Sequence, residues 1–294
     1  MKKILLSVVF FAIIPFLSQS QELEWFLDED EQGLLFIALK INDLDEELTC
    51  ILDTGTTEVL NLPIDTINKI EDKVEKDDKR KRTDILGNIQ YSRQFMLRNV
   101  KINNLFYEKL EIEEYKPWGA ILDINTGEKK AKKEQNFDYQ HVAVAGLGFF
   151  VNKVVTFDII SNKLILSDNF TKQIENDWLE IPFTKGSKGH LILNATDDVK
   201  SYALIFDTGA GKNIISSKKL SKNRELIKLK EFPFYITELS FVDIPNFKDD
   251  FIVLDGLTDD LPADGILGND FLYSYIVKID FKNQKMWIKP QPEE

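Results

Sequence analysis

The chain has 294 residues, of which 43% are hydrophobic, so it is long enough for one large domain or two medium ones with buried cores. Its formal net charge of −12 at pH 7 disfavours binding to nucleic acid or to anionic membrane surfaces, because both are negatively charged. The only cysteine is Cys50 and the only histidines are His141 and His190, which excludes an internal disulfide and argues against a histidine-rich metal site. Any catalysis therefore has to come from carboxylates or hydroxyls.

Residues 1–20 are predicted to be a signal peptide rather than part of the fold. Two lysines are followed by an apolar stretch over residues 4–17, and the small residues Ser18 and Ser20 precede the expected new N-terminus at Gln21. An uncleaved N-terminal anchor is the alternative, but the apolar stretch is short for a membrane span. We therefore expect an exported protein, periplasmic or extracellular, without stable membrane association after cleavage.

The rest of the chain contains the same motif twice. Residues 48–56 read Leu-Thr-Cys-Ile-Leu-Asp-Thr-Gly-Thr, and residues 202–210 read Tyr-Ala-Leu-Ile-Phe-Asp-Thr-Gly-Ala. Each copy is an apolar run that predicts a strand ending in Asp-Thr-Gly. An apolar segment that begins with a glycine precedes each copy, at residues 33–39 and 189–195.

A second matched pair of motifs lies downstream of the first. Residues 145–150 correspond to residues 265–271, and a strand–turn–strand pattern follows each of them. Because the matched features occur in the same order, the sequence predicts a duplicated, β-rich unit. The polar stretch near residues 170–178 lacks alternation and separates the two halves. We place the first lobe at residues 21–173 and the second at residues 174–294.

Each Asp-Thr-Gly places a carboxylate on the loop after a strand, where the glycine allows a tight turn and presents its amide. One copy alone is ordinary turn chemistry. Duplicated units pack around a two-fold axis, so two copies predict that Asp53 and Asp207 face each other. Carboxylates about 3 Å apart share one proton. The ionised member of such a pair takes a proton from water while the protonated member polarises a substrate carbonyl.

The paired Asp-Thr-Gly loops, each followed by two hydrophobic residues and a glycine, resemble those of the pepsin-like and retropepsin-like aspartic proteases. The chain looks like a divergent, bacterial-type member. Residues 263–272, leading into residues 275–280, are similar to the end of a pepsin C-terminal lobe. The resemblance spans roughly residues 33–166 and 189–288. It implies an all-β, bilobal acid-protease fold made of two similar β-barrel-like lobes with a few short helices.

The resemblance also implies an activity, that of a secreted aspartic endopeptidase that hydrolyses protein or peptide substrates at acidic pH. We expect it to act as a monomer without a cofactor or a metal. Asp53 and Asp207 correspond to the catalytic dyad. The residues expected to support the two catalytic loops are Thr54, Gly55, Thr56, Thr208, Gly209 and Ala210. The motifs of a hydrophobic residue and a glycine expected to support these loops are Leu147-Gly148 and Leu267-Gly268.

Within this set, the two threonines that follow the aspartates are expected to interlock the loops, and the glycines to present their amides to the carboxylates. Thr56 is expected to hydrogen-bond the outer oxygen of Asp53. Ala210 stands at the matching position of the second lobe and has no hydroxyl for this role.

The hairpin that closes over substrate in this family, the flap, has no recognisable counterpart with the pepsin tyrosine. The candidate is the segment 83–91, whose residues of interest are Ile85, Leu86, Gly87 and Tyr91. Residues 231–240 are either its counterpart in the second lobe or structural filler. The charged stretches 69–82 and 128–134 are interpreted as solvated surface.

Three other interpretations are open at this point. The main one is a non-catalytic secreted protein that binds peptide in the cleft of the same bilobal scaffold; loss of one aspartate would mark it, and both are present. A nucleophilic Cys50 paired with His141 is disfavoured, because reactive thiols need an exposed, electropositive setting. A structural or adhesive β protein is disfavoured by the duplicated order of the motifs.

Overall fold

A computed structural model describes residues 22–292 apart from residues 32, 43, 85–86, 118–119, 123–128, 132–141, 168–176, 223 and 231. The predicted signal peptide and His141 lie outside the described residues. The fold is all-β and bilobal, with one eight-stranded sheet in each lobe and a six-stranded sheet between the lobes. The fold class predicted from the sequence is confirmed.

In its described residues, the first lobe contains thirteen strands and one short helix, α1 (Ile64–Lys69). A 3-10 helix covers Leu147–Phe150. The strands are β1 (Leu23–Phe26), β2 (Asp28–Glu29), β3 (Leu35–Lys40), β4 (Glu47–Leu52), β5 (Leu60–Leu62), β6 (Lys73–Thr83), β7 (Ile89–Ile102), β8 (Leu105–Glu114), β9 (Ala120–Leu122), β10 (Lys129–Ala131), β11 (Val142–Ala145), β12 (Val154–Asp158) and β13 (Lys163–Ser167).

The part of the second lobe that the structure describes contains eleven strands and the short helix α2 (Asp270–Ser274). A 3-10 helix covers Ser217–Lys219. The strands are β14 (Leu179–Ile181), β15 (Thr184–Lys185), β16 (Leu191–Thr196), β17 (Ser201–Phe206), β18 (Ile214–Ser216), β19 (Ile227–Lys228), β20 (Tyr235–Phe241), β21 (Lys248–Leu254), β22 (Gly265–Leu267), β23 (Tyr275–Asp280) and β24 (Lys285–Pro290). The predicted lobe boundary falls between β13 and β14, outside the described residues.

The two lobe sheets have the same topology. The first has the order β2-β3-β4-β11-β5-β8-β7-β6, and the second has the order β15-β16-β17-β22-β18-β21-β20-β19. In each sheet, the strand that ends in Asp-Thr-Gly runs parallel to the strand that leads into the downstream glycine motif, β4 to β11 and β17 to β22. The duplication expected from the sequence is therefore a repeat of the whole sheet.

The strands that lead into the two aspartates are fixed by their buried faces. In β4 the alternate residues Leu48, Cys50 and Leu52 are buried, as the two-residue period of a strand requires. Complete burial raises the pKa of the Cys50 thiol to about 12, so this thiol stays protonated near neutral pH. Its environment therefore disfavours a nucleophilic role.

The third sheet joins the lobes in the order β1-β13-β12-β23-β24-β14. Its central pair, β12 and β23, takes one strand from each lobe. Above it, aromatic rings pack edge to face, with centroid distances of 6.4 Å between Phe157 and Phe206 and 6.3 Å between Phe206 and Phe271. Phe206 is the residue before Asp207, so the shared core fixes the strand end that carries the second aspartate.

Each aspartate is attached to the strand beside it by the same backbone hydrogen bond. The amide of Asp53 donates to the carbonyl of Ala145 at 2.9 Å, and the amide of Asp207 donates to the carbonyl of Leu267 at 2.9 Å. The structural counterpart of Leu267 is therefore Ala145.

This equivalence places the first-lobe glycine motif two residues earlier in the chain than the sequence predicted. Gly146, which follows Ala145, is the counterpart of Gly268, so the assignment of Leu147-Gly148 as the matching motif was wrong. A Cβ atom on Gly146 would overlap the carbonyl oxygen of Glu58, and one on Gly268 would lie 2.5 Å from the carbonyl oxygen of Lys212. Both glycines are needed because the catalytic loop passes directly over them. The second-lobe assignment, Leu267-Gly268, agrees with this geometry.

A buried polar link connects Gly268 to the far side of the second lobe. The Asn213 side chain accepts a hydrogen bond from the Gly268 amide at 2.9 Å and donates to Oδ2 of Asp249 at 2.8 Å. Burial raises the pKa of Asp249 to about 6; the hydrogen bond from Asn213 opposes this rise, and the negative charges of Asp270 and Asp250 add to it. The ionised form of this carboxylate is therefore unfavourable in the folded state.

We expect the Gly146→Ala and Gly268→Ala variants each to lose about 1–3 kcal/mol of unfolding free energy or more, because the added methyl group meets backbone that cannot move aside. Gly186→Ala is the matched control, since its Cβ would meet nothing closer than 3.4 Å. Chemical denaturation measures all three. Equal stability of Gly146→Ala and Gly186→Ala would contradict the close crossing.

We expect acid to stabilise the folded protein through Asp249. Its folded-state pKa of about 6 is above the ordinary value of 3.8, so its contribution to stability is fully present below pH 3.8 and is lost as pH rises through about 6. The melting temperature of the wild type should therefore fall more than that of Asp249→Asn between pH about 4 and about 7. If the melting temperatures of the two proteins fell by the same amount across this pH range, the assignment of this effect to Asp249 would be refuted.

Candidate active site

The two catalytic loops are locked together by their threonines. The Thr54 hydroxyl donates to the carbonyl of Phe206 at 2.8 Å, and the Thr208 hydroxyl donates to the carbonyl of Leu52 at 2.8 Å. Each hydroxyl oxygen also accepts a hydrogen bond from the backbone amide of the other threonine, at 3.1 and 3.0 Å. Both threonines are fully buried. This reciprocal set fixes the two loops relative to each other across the lobe boundary.

The two carboxylates lie side by side where these loops meet. Oδ1 of Asp207 accepts hydrogen bonds from the amides of Gly55 at 3.1 Å and Gly209 at 2.8 Å. A Cβ atom on Gly209 would lie 2.9 Å from Oδ1 of Asp53 and 3.1 Å from Oδ1 of Asp207. One oxygen of each carboxylate therefore lies next to the same position beside Gly209. Both aspartates are half-buried, which leaves them accessible from the cleft.

The residue after each Asp-Thr-Gly has the same backbone role but a different side chain. The amides of Thr56 and Ala210 donate to the carbonyls of Asp53 and Asp207, each at 3.2 Å. The Thr56 hydroxyl, however, donates to Oε2 of Glu58. A hydroxyl has a single proton to donate, so the expected hydrogen bond from Thr56 to Asp53 was wrong.

Glu58 belongs to a buried charged network that connects the catalytic loop to strand β6. Arg82 on β6 donates to Oε2 of Glu113 at 2.8 Å and to Oδ1 of Asn61 at 2.6 Å. Its guanidinium also lies 3.6 Å from Oε2 of Glu58, and that of Arg80 lies 3.3 Å from Oε1 of Glu58. The side chains of Arg82 and Glu113 are only 8% and 9% exposed. The network joins the Thr56 end of the loop to the hairpin above it.

The interpretation of residues 69–82 as solvated surface was therefore wrong for Arg82. The run of charged residues has no alternation in the sequence that singles out Arg82. Burial raises the pKa of Glu58, but Arg82, with the hydrogen bond from Thr56, outweighs it and lowers that pKa below its usual value. For Glu113, burial outweighs the attraction of Arg82 and raises the pKa.

The candidate flap is the turn between β6 and β7, which form a long antiparallel hairpin. In this turn the amide of Asp84 donates to the carbonyl of Asn88, and the amide of Gly87 to the carbonyl of Asp84, both at 3.0 Å. Gly87 has a φ of +87°, which favours glycine. A Cβ placed on it would lie 3.6 Å from Oγ1 of Thr258 in the second lobe. The hairpin therefore reaches from one lobe to the other.

The remaining flap residues are placed as follows. Ile85 and Leu86 lie outside the described residues, and Tyr91 is on β7 with 53% of its surface exposed. The segment 231–240, proposed as the counterpart, contains most of β20, which pairs with the two-residue strand β19. The hairpin of β19 and β20 is therefore shorter than that of β6 and β7. A flap role for the first-lobe hairpin stays a prediction.

His190 lies next to the second aspartate, although no motif in the sequence pointed to it. Continued by two residues, the antiparallel ladder of β16 and β17 places His190 opposite Asp207. The same continuation of the β3–β4 ladder places Leu34 opposite Asp53. Burial lowers the pKa of His190, while the negative charge of Asp207 and a hydrogen bond to the backbone of Gly55 oppose this shift.

Asn269 is a further supporting residue, and it spans the lobe boundary. Its side-chain amide is fully buried and donates to the carbonyls of Gly33 at 2.7 Å and Thr208 at 3.0 Å. Gly33 begins the repeated segment of the first lobe, so Asn269 fastens that segment to the catalytic loop of the second.

Two searches concern other classes of site. Over the described residues, no cluster of three or more His, Cys, Asp or Glu side chains is arranged to hold a metal ion. No helix in the described part of the chain has the length and apolar character to cross a membrane.

We expect Arg82→Met to lower the unfolding free energy by about 3–5 kcal/mol, because two largely buried glutamates would keep only the half-exposed Arg80 as a cation. Arg93→Met is the matched control: Arg93 is 35% exposed and pairs with Glu114 on the same sheet, so its loss should cost at most about 1 kcal/mol. Urea denaturation of both variants tests the difference. A similar cost for the two would contradict the buried network.

Comparison with known proteins supports the architecture. No protein-family model matches the chain, and no curated protein is similar to it in sequence. Among solved structures, Basic 7S globulin from soybean is similar with a TM-score of 0.55 at 10% identity, over 92% of this chain and 95% of that chain. At this identity the likeness shows the fold alone, and that protein is named as a globulin rather than as a protease. The chain therefore has a bilobal, pepsin-like fold, and its membership of a bacterial-type protease branch stays a prediction.

Proposed function

We propose that this chain is an aspartic endopeptidase in which Asp53 and Asp207 activate one water molecule for attack on a peptide bond. The observation that carries the proposal is the paired carboxylates, with one oxygen of each flanking the same point at Gly209. Two carboxylates so close share a proton, which supplies a base and an acid at one site. The interlocked threonines hold this pair rigid, as a site that works by positioning requires.

The reaction runs through the two carboxyls without a covalent intermediate. The ionised carboxylate takes a proton from water, whose oxygen bonds to the peptide carbonyl carbon, and the protonated carboxyl gives its proton to the carbonyl oxygen. In the tetrahedral intermediate, the newly ionised carboxylate removes a hydroxyl proton and the carbonyl re-forms. The C–N bond breaks as the other carboxyl protonates the leaving nitrogen. Each aspartate then has its starting protonation state.

The hairpin of β6 and β7 is the natural cover for a bound peptide. Its turn reaches Thr258 of the second lobe, and Arg82, near the turn end of β6, ties the hairpin to the catalytic loop through Glu58. A cover attached in this way excludes water from the reacting bond when substrate is present. We propose that the hairpin is the flap of this enzyme.

Export and a monomeric state are part of the same proposal. Export rests on the sequence, in which residues 1–20 have the pattern of a signal peptide. The monomeric state rests on the resemblance, because one chain carries both Asp-Thr-Gly loops. The expected substrate is an extended protein or peptide segment, with no nucleic acid and no membrane partner.

The second candidate is a non-catalytic protein that binds peptide in the same cleft. It is favoured by the likeness to a protein named as a globulin, since the bilobal fold does not by itself decide the function. This candidate requires the cleft and the hairpin but not the paired carboxylates.

We expect Asp53→Asn and Asp207→Asn each to lower cleavage of a denatured protein or a peptide library at acidic pH by at least about 100-fold. The change removes one member of the acid–base pair and keeps the shape of the side chain. Asp259→Asn is the control, because Asp259 is 85% exposed and its partner is a surface lysine. Circular dichroism checks that all three variants are folded.

Cleavage that survives both dyad substitutions would rule out the proposed mechanism. Peptide binding without cleavage by the wild type, unchanged in both variants, would establish the second candidate instead.

A further inference from the structure

The dyad has different neighbours on its two sides. The repeat places His190 opposite Asp207 and Leu34 opposite Asp53, at equivalent positions of the two lobes. A leucine has no charge to interact with a carboxylate, whereas an imidazole gains a positive charge in acid. The two aspartates of a symmetric fold therefore stand in an asymmetric electrostatic environment.

The backbone at His190 is held in place by the turn before it. The amide of Gly186 donates to the carbonyl of His190 at 2.9 Å, and the amide of Gly189 donates to the carbonyl of Gly186 at 2.8 Å. A Cβ on Gly189 would lie 3.7 Å from Cγ2 of Thr57, so this turn packs against the catalytic loop of the other lobe. His190 is 9% exposed, and its Nδ1 is buried without a hydrogen-bond partner. This nitrogen is not engaged in holding the fold.

Four groups act on the His190 ring from the elements around it. Asp207 at the end of β17 and Glu58 in the first lobe contribute negative charge, the backbone of Gly55 accepts a hydrogen bond, and Lys188 in the same turn contributes positive charge. Burial has the largest effect and lowers the pKa of His190, so the ring becomes positively charged only as the solution turns acidic. An aspartic dyad works in that acidic range.

We propose that His190 biases the shared proton of the dyad toward Asp53, so that Asp207 is the carboxylate that takes the proton from water. A positive charge opposite Asp207 favours its ionised form. The amides of Gly55 and Gly209, which both donate to Oδ1 of Asp207, act in the same direction. His190 is thus a positioning residue that acts through Asp207. The inference rests on the proposed function of the dyad and adds the direction of the proton transfers.

The first test needs no enzymatic activity. NMR titration of the His190 ring, identified by its absence from His190→Gln, is compared in the wild type, Asp207→Asn and Asp53→Asn. Loss of the carboxylate in Asp207→Asn should lower the pKa of His190 by roughly one unit, while Asp53→Asn should leave it in place or raise it slightly. No change in Asp207→Asn, or a larger fall in Asp53→Asn, would overturn the proposal.

The second test is the pH profile of kcat/KM for His190→Gln and His190→Leu. Both variants lose the cation, so the acidic limb of the profile should move upward by about one pH unit, a roughly tenfold loss of rate on that limb. Glutamine keeps a donor for the Gly55 carbonyl and leucine does not, so equal shifts identify the charge as the cause. Lys188→Gln removes an exposed positive charge from the same turn and should leave the limb within about 0.3 units.

If the acidic limb of the pH profile stayed at its wild-type position in His190→Gln while His190→Leu lost activity, His190 would have a structural role only. This result would overturn the proposal. The two tests also separate this inference from the proposed function. A wild type without proteolytic activity refutes the function, whereas the titration of His190 still decides whether the dyad is biased.

Discussion

The reciprocal hydrogen bonds between Thr54 and Thr208 are the constraint on which the site depends. Each threonine caps the strand end of the opposite lobe, so neither catalytic loop has its conformation without the other. The carboxylates meet because these loops meet. The shared six-stranded sheet supports the arrangement from below, and its aromatic core reaches Phe206, one residue before Asp207. A site built from two lobes is in this way as rigid as one built on a single sheet.

On this symmetric backbone the side chains are not symmetric. The first lobe has a buried network from Thr56 through Glu58 to Arg82 on the long hairpin, whereas the second has Ala210 and a short hairpin. The residues opposite the two aspartates also differ, since Leu34 is uncharged and His190 can gain a positive charge. A symmetric pair of carboxylates that shares one proton already supplies one acid and one base. In the mechanism that we propose, the asymmetry of the surroundings selects which carboxylate is the base, and the long hairpin covers the site from one side.

Much of this fold was predictable because the repeat is local. An apolar strand, a tight turn with glycine and a following patch leave a pattern within ten residues, and the pattern occurs twice in the same order. The prediction failed where several residues satisfied the pattern equally. Gly146 and Gly148 both follow a hydrophobic residue, and a Cβ on either would crowd the carbonyl of Glu58. Only the register of the paired strands identifies Gly146 as the matching glycine. The Thr56 hydroxyl was misassigned because no pattern in the sequence singles out its partner, Glu58.

The sequence by itself determined the duplicated all-β architecture, the two Asp-Thr-Gly loops and the pairing of Asp53 with Asp207. Each of these follows from short-range periodicity and turn chemistry. The tertiary structure alone decided that Arg82 is buried and that His190 faces Asp207. These facts depend on contacts between residues far apart in the chain, such as Arg82 with Glu113 across neighbouring strands. A charged or titratable side chain has no period that reveals its partner, so its environment is known only once the strands are packed.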